Sequence, residues 1–329
     1  MKYLIFLPFF SILSWFPSKD TPTEPIAIVP LAGIGFDKME VKNVNDSLGR
    51  FFIQIPQLYV QRWDTLAQTK FWRTLIKLSP DSGIINISSS RQIIELFSNS
   101  GWEKQSPEKK EAYRDSVRRV HNLGIEDKIF FSRGKGDFYD FEGAIQTIDK
   151  GIFIFEQEKT DPFFAQTILL IESPGKCAKS NVGACGSFQL MKSVAIQMGM
   201  KVNSVVDERT DFDKSAAASA KLIRTVCIPQ AKDILLRHNI SYNETDLWFR
   251  LLVLHIYHAG AGNVSGAVNI IQPLTGDMNL ITQLWQTKYK GFGNASQNYS
   301  QVALASLLEL DHIIYNKCED VLFHPLIYK

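Results

Sequence analysis

The chain has 329 residues, of which 45% are hydrophobic and 21% are charged, and its formal net charge is +2. This is an ordinary globular composition with ample apolar material for a core. The small net charge provides no strongly basic surface, so nucleic acid is not an expected partner. The length allows one large domain, or a core domain with an accessory segment.

The first 19 residues, MKYLIFLPFFSILSWFPSK, are typical of a secretory signal peptide. Lys2 supplies a short positive region, and the apolar run from Tyr3 to Phe16 is too short for a comfortable membrane span. Neither a small-residue cleavage pattern nor a Cys for lipid attachment follows this run. We predict export from the cytoplasm, with an uncleaved N-terminal anchor as an alternative.

The chain contains four cysteines, Cys177, Cys185, Cys227 and Cys318. Export would place them in an oxidising compartment, where three pairings are possible. Cys177 and Cys185 flank one short loop, so we predict a local disulfide there. His255 and His258 form the only close histidine pair, but no acid stands at zinc spacing and no C-x-x-C motif occurs. We therefore expect no metal site and no cofactor.

The first part of the chain divides into an extended linker or arm over residues 20–43 and a helical accessory region over residues 44–125. The linker is rich in Pro and Gly. In the accessory region, Ser106 and Pro107 predict a helix start. Only weak strand candidates occur, near Ile84 and Ile129. The segment SRGKGDFYDFEGA is predicted to be a loop that leads into the next helix.

The second part of the chain is predicted to be helical, with helix starts at Asp161-Pro162 and near Asp213. The segment TDLWFRLLVLHIYHAG is apolar on nearly every side, which is typical of a helix at the centre of a fold. It is predicted to end at Gly260. The segment SQNYSQVALASLLELDHIIY predicts a final amphipathic helix. The fold class is therefore mostly α, without internal repeats of 20–50 residues.

Glu172 is the candidate catalytic residue, because it ends an apolar helix. Phe164, Ile168 and Ile171 form one stripe at spacings i, i+4 and i+7, and Glu172 falls on the same stripe at i+8. Burial raises the pKa of a carboxyl group, and a protonated Glu can serve as the general acid that cleaves a glycosidic bond. The alternative without a catalytic role is a solvent-exposed Glu at a frayed helix end.

The residues after Glu172 favour a sugar-binding site. The loop SNVGACG is made of small residues that allow a ligand close to the backbone. Ser180, Ser187 and Gln189 offer neutral hydrogen-bonding groups. Tyr257, on the apolar helix, could orient the acid, although simple core packing would explain it as well.

Four segments, IES, SNVGACGSFQLM, VDERTDF and YHAGAGNV, occur in this order. Together they resemble the motifs of lytic transglycosylases of the soluble and membrane-bound D type, whose catalytic domain is similar to goose-type lysozyme. The resemblance covers Asp161 to about Ile314 and is fainter over Val44 to Leu78. It implies a lysozyme-like catalytic domain over residues 126–329.

The resemblance implies cleavage of the β-1,4 bond between N-acetylmuramic acid and N-acetylglucosamine in peptidoglycan, with 1,6-anhydro-muramic acid ends as product. Glu172 matches the single catalytic acid, which then acts as base on the C6 hydroxyl of the sugar. Ser180 and Gln189 match sugar-contacting motif residues. Tyr257 matches a tyrosine that hydrogen-bonds the acid, and Tyr299 matches a tyrosine of the cleft. Asp207 and Arg209 match a charge pair that we interpret as structural.

The sequence departs from the family pattern at Ser187 and Phe188, where Leu-Met is usual, and at His258, where Asn is usual. Ser187 and His258 are kept as candidate substrate-binding residues. We expect a monomer in the bacterial periplasm or envelope, with peptidoglycan strands as partner and peripheral or anchored association with the membrane as an option. The alternatives are a hydrolytic muramidase on the same fold and a peptidoglycan-binding protein with a degenerate site.

Overall fold

The computed structural model describes residues 27–30, 38–42, 49–172, 180 and 183–319, and helix predominates among them. The mostly-α prediction is confirmed. The predicted signal peptide lies outside these residues. Within the described part of the chain, no helix has both the length and the apolar character needed to cross a bilayer.

Strands of the described residues form two antiparallel three-stranded sheets. The first sheet has the strand order β1 (Ala27–Pro30), β2 (Lys38–Lys42), β3 (Arg50–Ile53). The second sheet has the order β5 (Ile93–Ser98), β4 (Ser82–Ile87), β6 (Ile129–Arg133). In the second sheet, Ile85 of the central strand lies opposite Glu95 on one side and Phe131 on the other.

These strands correct the predictions for the N-terminal part of the chain. Residues 20–43, predicted to be a linker, include β1 and β2, and residues 44–125, predicted to be helical, include β3, β4 and β5. The strand candidates near Ile84 and Ile129 are confirmed. Such short apolar runs carry too few residues to reveal their period. Because β6 pairs with β4, the second sheet contains residues from both sides of the predicted boundary at 125.

Thirteen α-helices are found in the described part of the chain, and they fill most of the sequence after β6. They are α1 (Gln57–Val60), α2 (Ala67–Lys77), α3 (Asn99–Glu103), α4 (Pro107–Val120), α5 (Phe141–Gln157), α6 (Phe163–Glu172), α7 (Lys192–Gln197), α8 (Phe212–Leu222), α9 (Ile228–Arg237), α10 (Leu247–Ala259), α11 (Ala261–Ile271), α12 (Met278–Leu284) and α13 (Asn294–Glu319). A π-helical turn, Ile223–Cys227, links α8 to α9.

Side chains at the helix starts explain several of these boundaries. Ser106 accepts a hydrogen bond from the Lys109 amide, as the Ser-Pro pair predicted. Asp161 accepts one from the Phe163 amide at 2.9 Å, which confirms the predicted start of α6. At α8 the cap is Asp211, not Asp213 as predicted. Asp213 instead pairs with a lysine of α5, Lys150.

Three helices, α6, α10 and α13, form the centre of the fold. Ten consecutive residues of α10, Leu247 to Ile256, are buried, as the apolar pattern predicted. In α13, every residue from Tyr299 to Leu310 is buried. The prediction of an amphipathic final helix is therefore wrong, because α13 is surrounded by protein on all sides over this stretch.

A buried glutamine of α6 joins the first sheet to this centre. Gln166 accepts a hydrogen bond from the Ile53 amide and donates one to the Ile53 carbonyl, each at 2.8 Å. The amide side chain thus makes the same two bonds that a neighbouring strand would make. Both backbone groups of Ile53 are satisfied where β3 meets the helix, at a position that water cannot reach.

Candidate active site

Glu172 is the last residue of α6, and the nine residues before it, Phe163 to Ile171, are all buried. The predicted stripe of Phe164, Ile168 and Ile171 is buried, but so are the other faces of the helix. The chain thus brings one carboxyl group to the end of a fully enclosed apolar helix. Glu172 itself retains some accessible surface, so this residue lies where the buried helix reaches the edge of the core.

Burial raises the pKa of Glu172 from its ordinary value of 4.5 to about 7. An interaction with the hydroxyl of Tyr299 partly opposes this rise. The predicted elevation of the pKa by the apolar helix is therefore found. No charged side chain among the described residues contributes to the shift, and residues 173–182 contain no Asp or Glu. Glu172 is an isolated acid in its immediate surroundings.

Tyr299, on α13, is the tyrosine that interacts with Glu172. Its hydroxyl is buried and makes no hydrogen bond of standard length and angle within the described residues. Its pKa is raised well above the ordinary value, first by burial and then by the charge of Glu172. The hydroxyl is therefore protonated near neutral pH, so it is the donor in its interaction with Glu172.

The imidazole ring of His258 stacks on the ring of Tyr299. The two rings stack with centroids 4.4 Å apart and planes at 29°. Partial burial of the ring lowers the pKa of His258, although the residue as a whole is exposed. His258 is therefore neutral near pH 7, and it holds the Tyr299 ring by contact rather than by charge.

A second histidine on α10, His255, is fully buried beneath this stack. The hydroxyl of Ser300 lies 2.8 Å from His255 Nε2 and 2.7 Å from Trp285 Nε1. Because an indole can only donate, Ser300 accepts from Trp285, and its own proton is available to His255. Burial lowers the pKa of His255 to about 3. These hydrogen bonds connect Trp285 and His255 to Ser300 of α13, the residue that follows Tyr299.

Tyr257 does not make the hydrogen bond to Glu172 that the family resemblance implied. Its hydroxyl donates to the Phe188 carbonyl at 2.6 Å and lies 3.3 Å from the Ser219 hydroxyl. The charge of Glu172 nevertheless adds to the rise that burial produces in the pKa of Tyr257. Tyr257 is thus close to the acid, but its hydroxyl connects α10 to the loop that carries Gln189.

That loop, residues 183–190, closes on itself through an isolated bridge between Cys185 and Leu190. Gln189 has a positive φ of 46°, and its side-chain amide donates to the Gly186 carbonyl at 2.9 Å. The hydroxyl of Ser180 accepts from the Ala184 amide at 3.0 Å. The structure thus gives Ser180 and Gln189 roles within the loop, and their predicted contacts to sugar stay predictions.

Gly186 is required at its position in this loop. It has a φ of +81°, and a Cβ atom there would lie 1.8 Å from the carbonyl oxygen of Arg209. The neighbouring Ser187 is partly exposed. Phe188 is fully buried and stacks on Phe155 with centroids 5.7 Å apart. Phe188 therefore fills the core beneath the loop.

Arg209 holds the loop from below, as predicted for a structural charge pair. Its guanidinium group is almost fully buried, and it donates to the carbonyls of Gly183 at 2.8 Å and Leu190 at 3.0 Å. Asp207 binds the same group at 2.7 Å. Carboxylate and carbonyls together satisfy the buried cation, so the loop is fixed at both ends.

Sequence reasoning missed Tyr139, which also lies close to Glu172. Burial raises its pKa first, and the charge of Glu172 adds to this rise. Tyr139 lies in the predicted loop before α5, but no motif marked it. The short connection of residues 158–162 between α5 and α6 was the available signal, because it makes the two helices antiparallel and brings the start of α5 to the end of α6.

The predicted disulfide between Cys177 and Cys185 is not formed in the structure, since Cys185 and Cys227 are free, buried thiols. Cys177 lies outside the described residues, as does the side chain of Cys318. Among the side chains that the structure describes, no cluster of three or more His, Cys, Asp or Glu could hold a metal ion.

No protein-family model and no curated protein matches this chain. The resemblance to lytic transglycosylases therefore rests on the four sequence motifs.

Proposed function

We propose that this protein is a peptidoglycan lytic transglycosylase with Glu172 as its only catalytic acid and base. The observation that carries this proposal is the isolation of Glu172. Its pKa is about 7, and no carboxylate of the described residues acts on it. Ordinary glycosidases place two carboxyl groups on either side of the scissile bond. One acid suits a reaction in which the substrate supplies its own nucleophile.

In the first step, protonated Glu172 donates its proton to the glycosidic oxygen. The bond between C1 of the muramic acid and that oxygen breaks, and the N-acetylglucosamine leaves with the proton as a free hydroxyl. The substrate's acetamido group stabilises the positive charge at C1. A pKa near 7 keeps a useful fraction of Glu172 protonated at neutral pH.

In the second step, the Glu172 carboxylate removes the proton from the C6 hydroxyl of the muramic acid, and the oxygen forms a bond to C1. This closes the 1,6-anhydro ring and returns Glu172 to its protonated state, so protons balance over the cycle. The Tyr299 hydroxyl, which lowers the pKa of Glu172, stabilises the carboxylate between the two steps. His258 holds the Tyr299 ring in place.

A Glu172→Gln variant tests this proposal with purified peptidoglycan sacculi. Wild-type protein is expected to release fragments with 1,6-anhydro ends, identified by mass spectrometry, and the variant to release none. Asp213→Asn is the control, because Asp213 is an exposed carboxylate that pairs with Lys150. It should retain wild-type activity.

Two outcomes would support the alternative functions, a hydrolytic muramidase or a peptidoglycan-binding protein. Fragments with reducing ends would identify a hydrolytic muramidase that activates water. Sacculus binding without cleavage by wild type would identify a wall-binding protein. Export to the bacterial periplasm or envelope belongs to the same proposal, because peptidoglycan is found there, and cell fractionation would test it.

A further inference from the structure

The loop before α5 carries two adjacent aromatic residues, Phe138 and Tyr139, and Tyr139 lies close to the candidate acid. Phe138 has 55% of its surface exposed, and its ring contacts that of Tyr139 edge-on, with centroids 5.0 Å apart. Tyr139 in turn stacks on Phe141 at the start of α5, with centroids 6.0 Å apart and planes at 15°. The three rings form a continuous strip from solvent to the core.

The hairpin of α5 and α6 brings this strip to Glu172. Gly151 lies against Ala165 and Leu169, and a Cβ added at Gly151 would be 2.8 Å from Leu169 Cδ1. From this crossing the two helices run antiparallel, so Glu172 lies level with the second turn of α5. At about 1.5 Å per residue, the first residue of α5 is roughly 8 Å further along the axis. Tyr139 lies two residues before it.

The backbone of this loop is held rigidly against the end of α2. The amides of Lys135 and Gly136 donate to the carbonyls of Leu75 and Leu78 at 2.9 Å and 2.8 Å. A Cβ on Gly134 would lie 2.3 Å from the Ser79 carbonyl oxygen, so only glycine permits this approach. The backbone that leads into the aromatic strip is therefore attached to α2 before any ligand binds, which reduces the entropic cost of binding.

The Tyr139 side chain can make hydrogen bonds that the fold does not use. Its ring packs against the main core, yet the residue retains accessible surface, and its hydroxyl makes no hydrogen bond to any described residue. The hydroxyl is close enough to Glu172 to feel the charge of the carboxylate. A sugar bound at Glu172 would therefore meet both a free hydroxyl and an aromatic face.

We propose that Phe138 and Tyr139 form a glycan subsite beside Glu172, in which the Tyr139 hydroxyl hydrogen-bonds one N-acetylhexosamine ring and Phe138 stacks on the next. This inference rests on the proposed function, because it assumes that Glu172 lies in a glycan cleft. An aromatic ring suits the apolar face of a pyranose, and a hydroxyl suits its polar rim. The subsite is formed by the loop that α2 supports, outside the four motifs.

Binding to the full-length Glu172→Gln protein tests the subsite without turnover. The probes are a β-1,4-linked hexamer of N-acetylglucosamine and peptide-free peptidoglycan glycan strands, titrated by calorimetry. In this background, Tyr139→Phe and Phe138→Ala are each expected to weaken binding about 2- to 10-fold, the range for one net hydrogen bond or one ring contact.

The chain offers matched controls for both substitutions. Phe153→Ala removes a ring of α5 that is 57% exposed and lies roughly 18 Å along the helix axis from Phe141. Tyr242→Phe removes a hydroxyl from a ring that stacks on Phe249. Both controls should bind the probes like the parent protein.

The results separate the subsite from the proposed reaction. Unchanged affinity of Tyr139→Phe and Phe138→Ala, with unchanged thermal unfolding, would overturn the subsite, and so would a parent protein that binds neither probe. If the probes bind through Phe138 and Tyr139 but wild-type protein releases no anhydro ends from sacculi, the subsite stands and the transglycosylase proposal fails.

Discussion

Replacing Glu172 by Gln should make the protein more stable above neutral pH. In the unfolded chain Glu172 loses its proton near its ordinary pKa of 4.5, whereas in the folded protein it does so near 7. Between these values the folded state binds more protons, so the wild-type free energy of unfolding falls as the pH rises. Gln is neutral at every pH and escapes this loss.

The size of the effect follows from the two pKa values. A rise from 4.5 to about 7 corresponds to about 3 kcal/mol at ~1.4 kcal/mol per pH unit. Because Glu172 keeps some accessible surface, we expect roughly 2–3 kcal/mol. The two proteins should be nearly equal in stability at pH 4, and the variant should gain this amount by pH 8.

Urea unfolding at pH 4, 6 and 8, followed by tryptophan fluorescence, measures the difference between the two proteins. Comparing the pair cancels the titration of other groups, including Asp311, whose pKa burial raises to about 6. Glu244→Gln is the control for the loss of one exposed carboxylate, which pairs with Lys232. A constant difference between wild type and Glu172→Gln would refute the argument that burial controls the acid.

Three further substitutions test the surroundings of the acid. Tyr299→Phe removes the hydroxyl that lowers the pKa of Glu172, so the alkaline limb of the pH–activity profile should move to higher pH; an unmoved limb would exclude this role. Gly186→Ala places a Cβ 1.8 Å from a carbonyl oxygen at a φ of +81° and should cost at least ~2 kcal/mol in urea unfolding. Its control, Gly262→Ala, meets no atom within 4 Å in α11 and should stabilise by about 0.5–1 kcal/mol; equal effects at the two sites would contradict the structure. Arg209→Ala leaves a carboxylate and two carbonyls without their buried cation and should cost roughly 3–5 kcal/mol by the same measurement; a loss below ~1 kcal/mol would mean that the loop holds itself.

The sequence predicts the helical part of this fold well, because helices depend on local periodicity. The central position of α10 follows directly from its apolar run. The strands β3 and β5 are not predicted and β4 is predicted only weakly, because each has only four to six residues, too few to reveal a period. The surroundings of α13 were also missed, because polar residues such as Ser300 and Gln301 are buried there by hydrogen bonds to other elements.

At the candidate site, the sequence predicts the raised pKa of Glu172, because this depends on the apolar helix that ends at Glu172. It does not assign the hydroxyls correctly. Tyr257 bonds to the Phe188 carbonyl, and Tyr299 takes the place next to Glu172. Tyr139 lies close to Glu172 because α5 and α6 form an antiparallel hairpin. The hydroxyl that lies next to Glu172 depends on the relative rotation of the packed helices, to within a fraction of a helical turn. A sequence motif does not specify that rotation.

The paired hydrogen bonds between Gln166 and Ile53 determine where this chain can be cut. The helix that ends in Glu172 uses Ile53 as its backbone partner, so a fragment that begins at residue 126 would leave the amide of Gln166 buried without that partner. Two lost bonds in an apolar interior cost roughly 2–6 kcal/mol, a large share of the stability of most domains. Expression fragments and domain swaps that contain Glu172 should therefore include the chain from before Arg50. Strand β3 and the helix that ends in Glu172 belong to one structural unit.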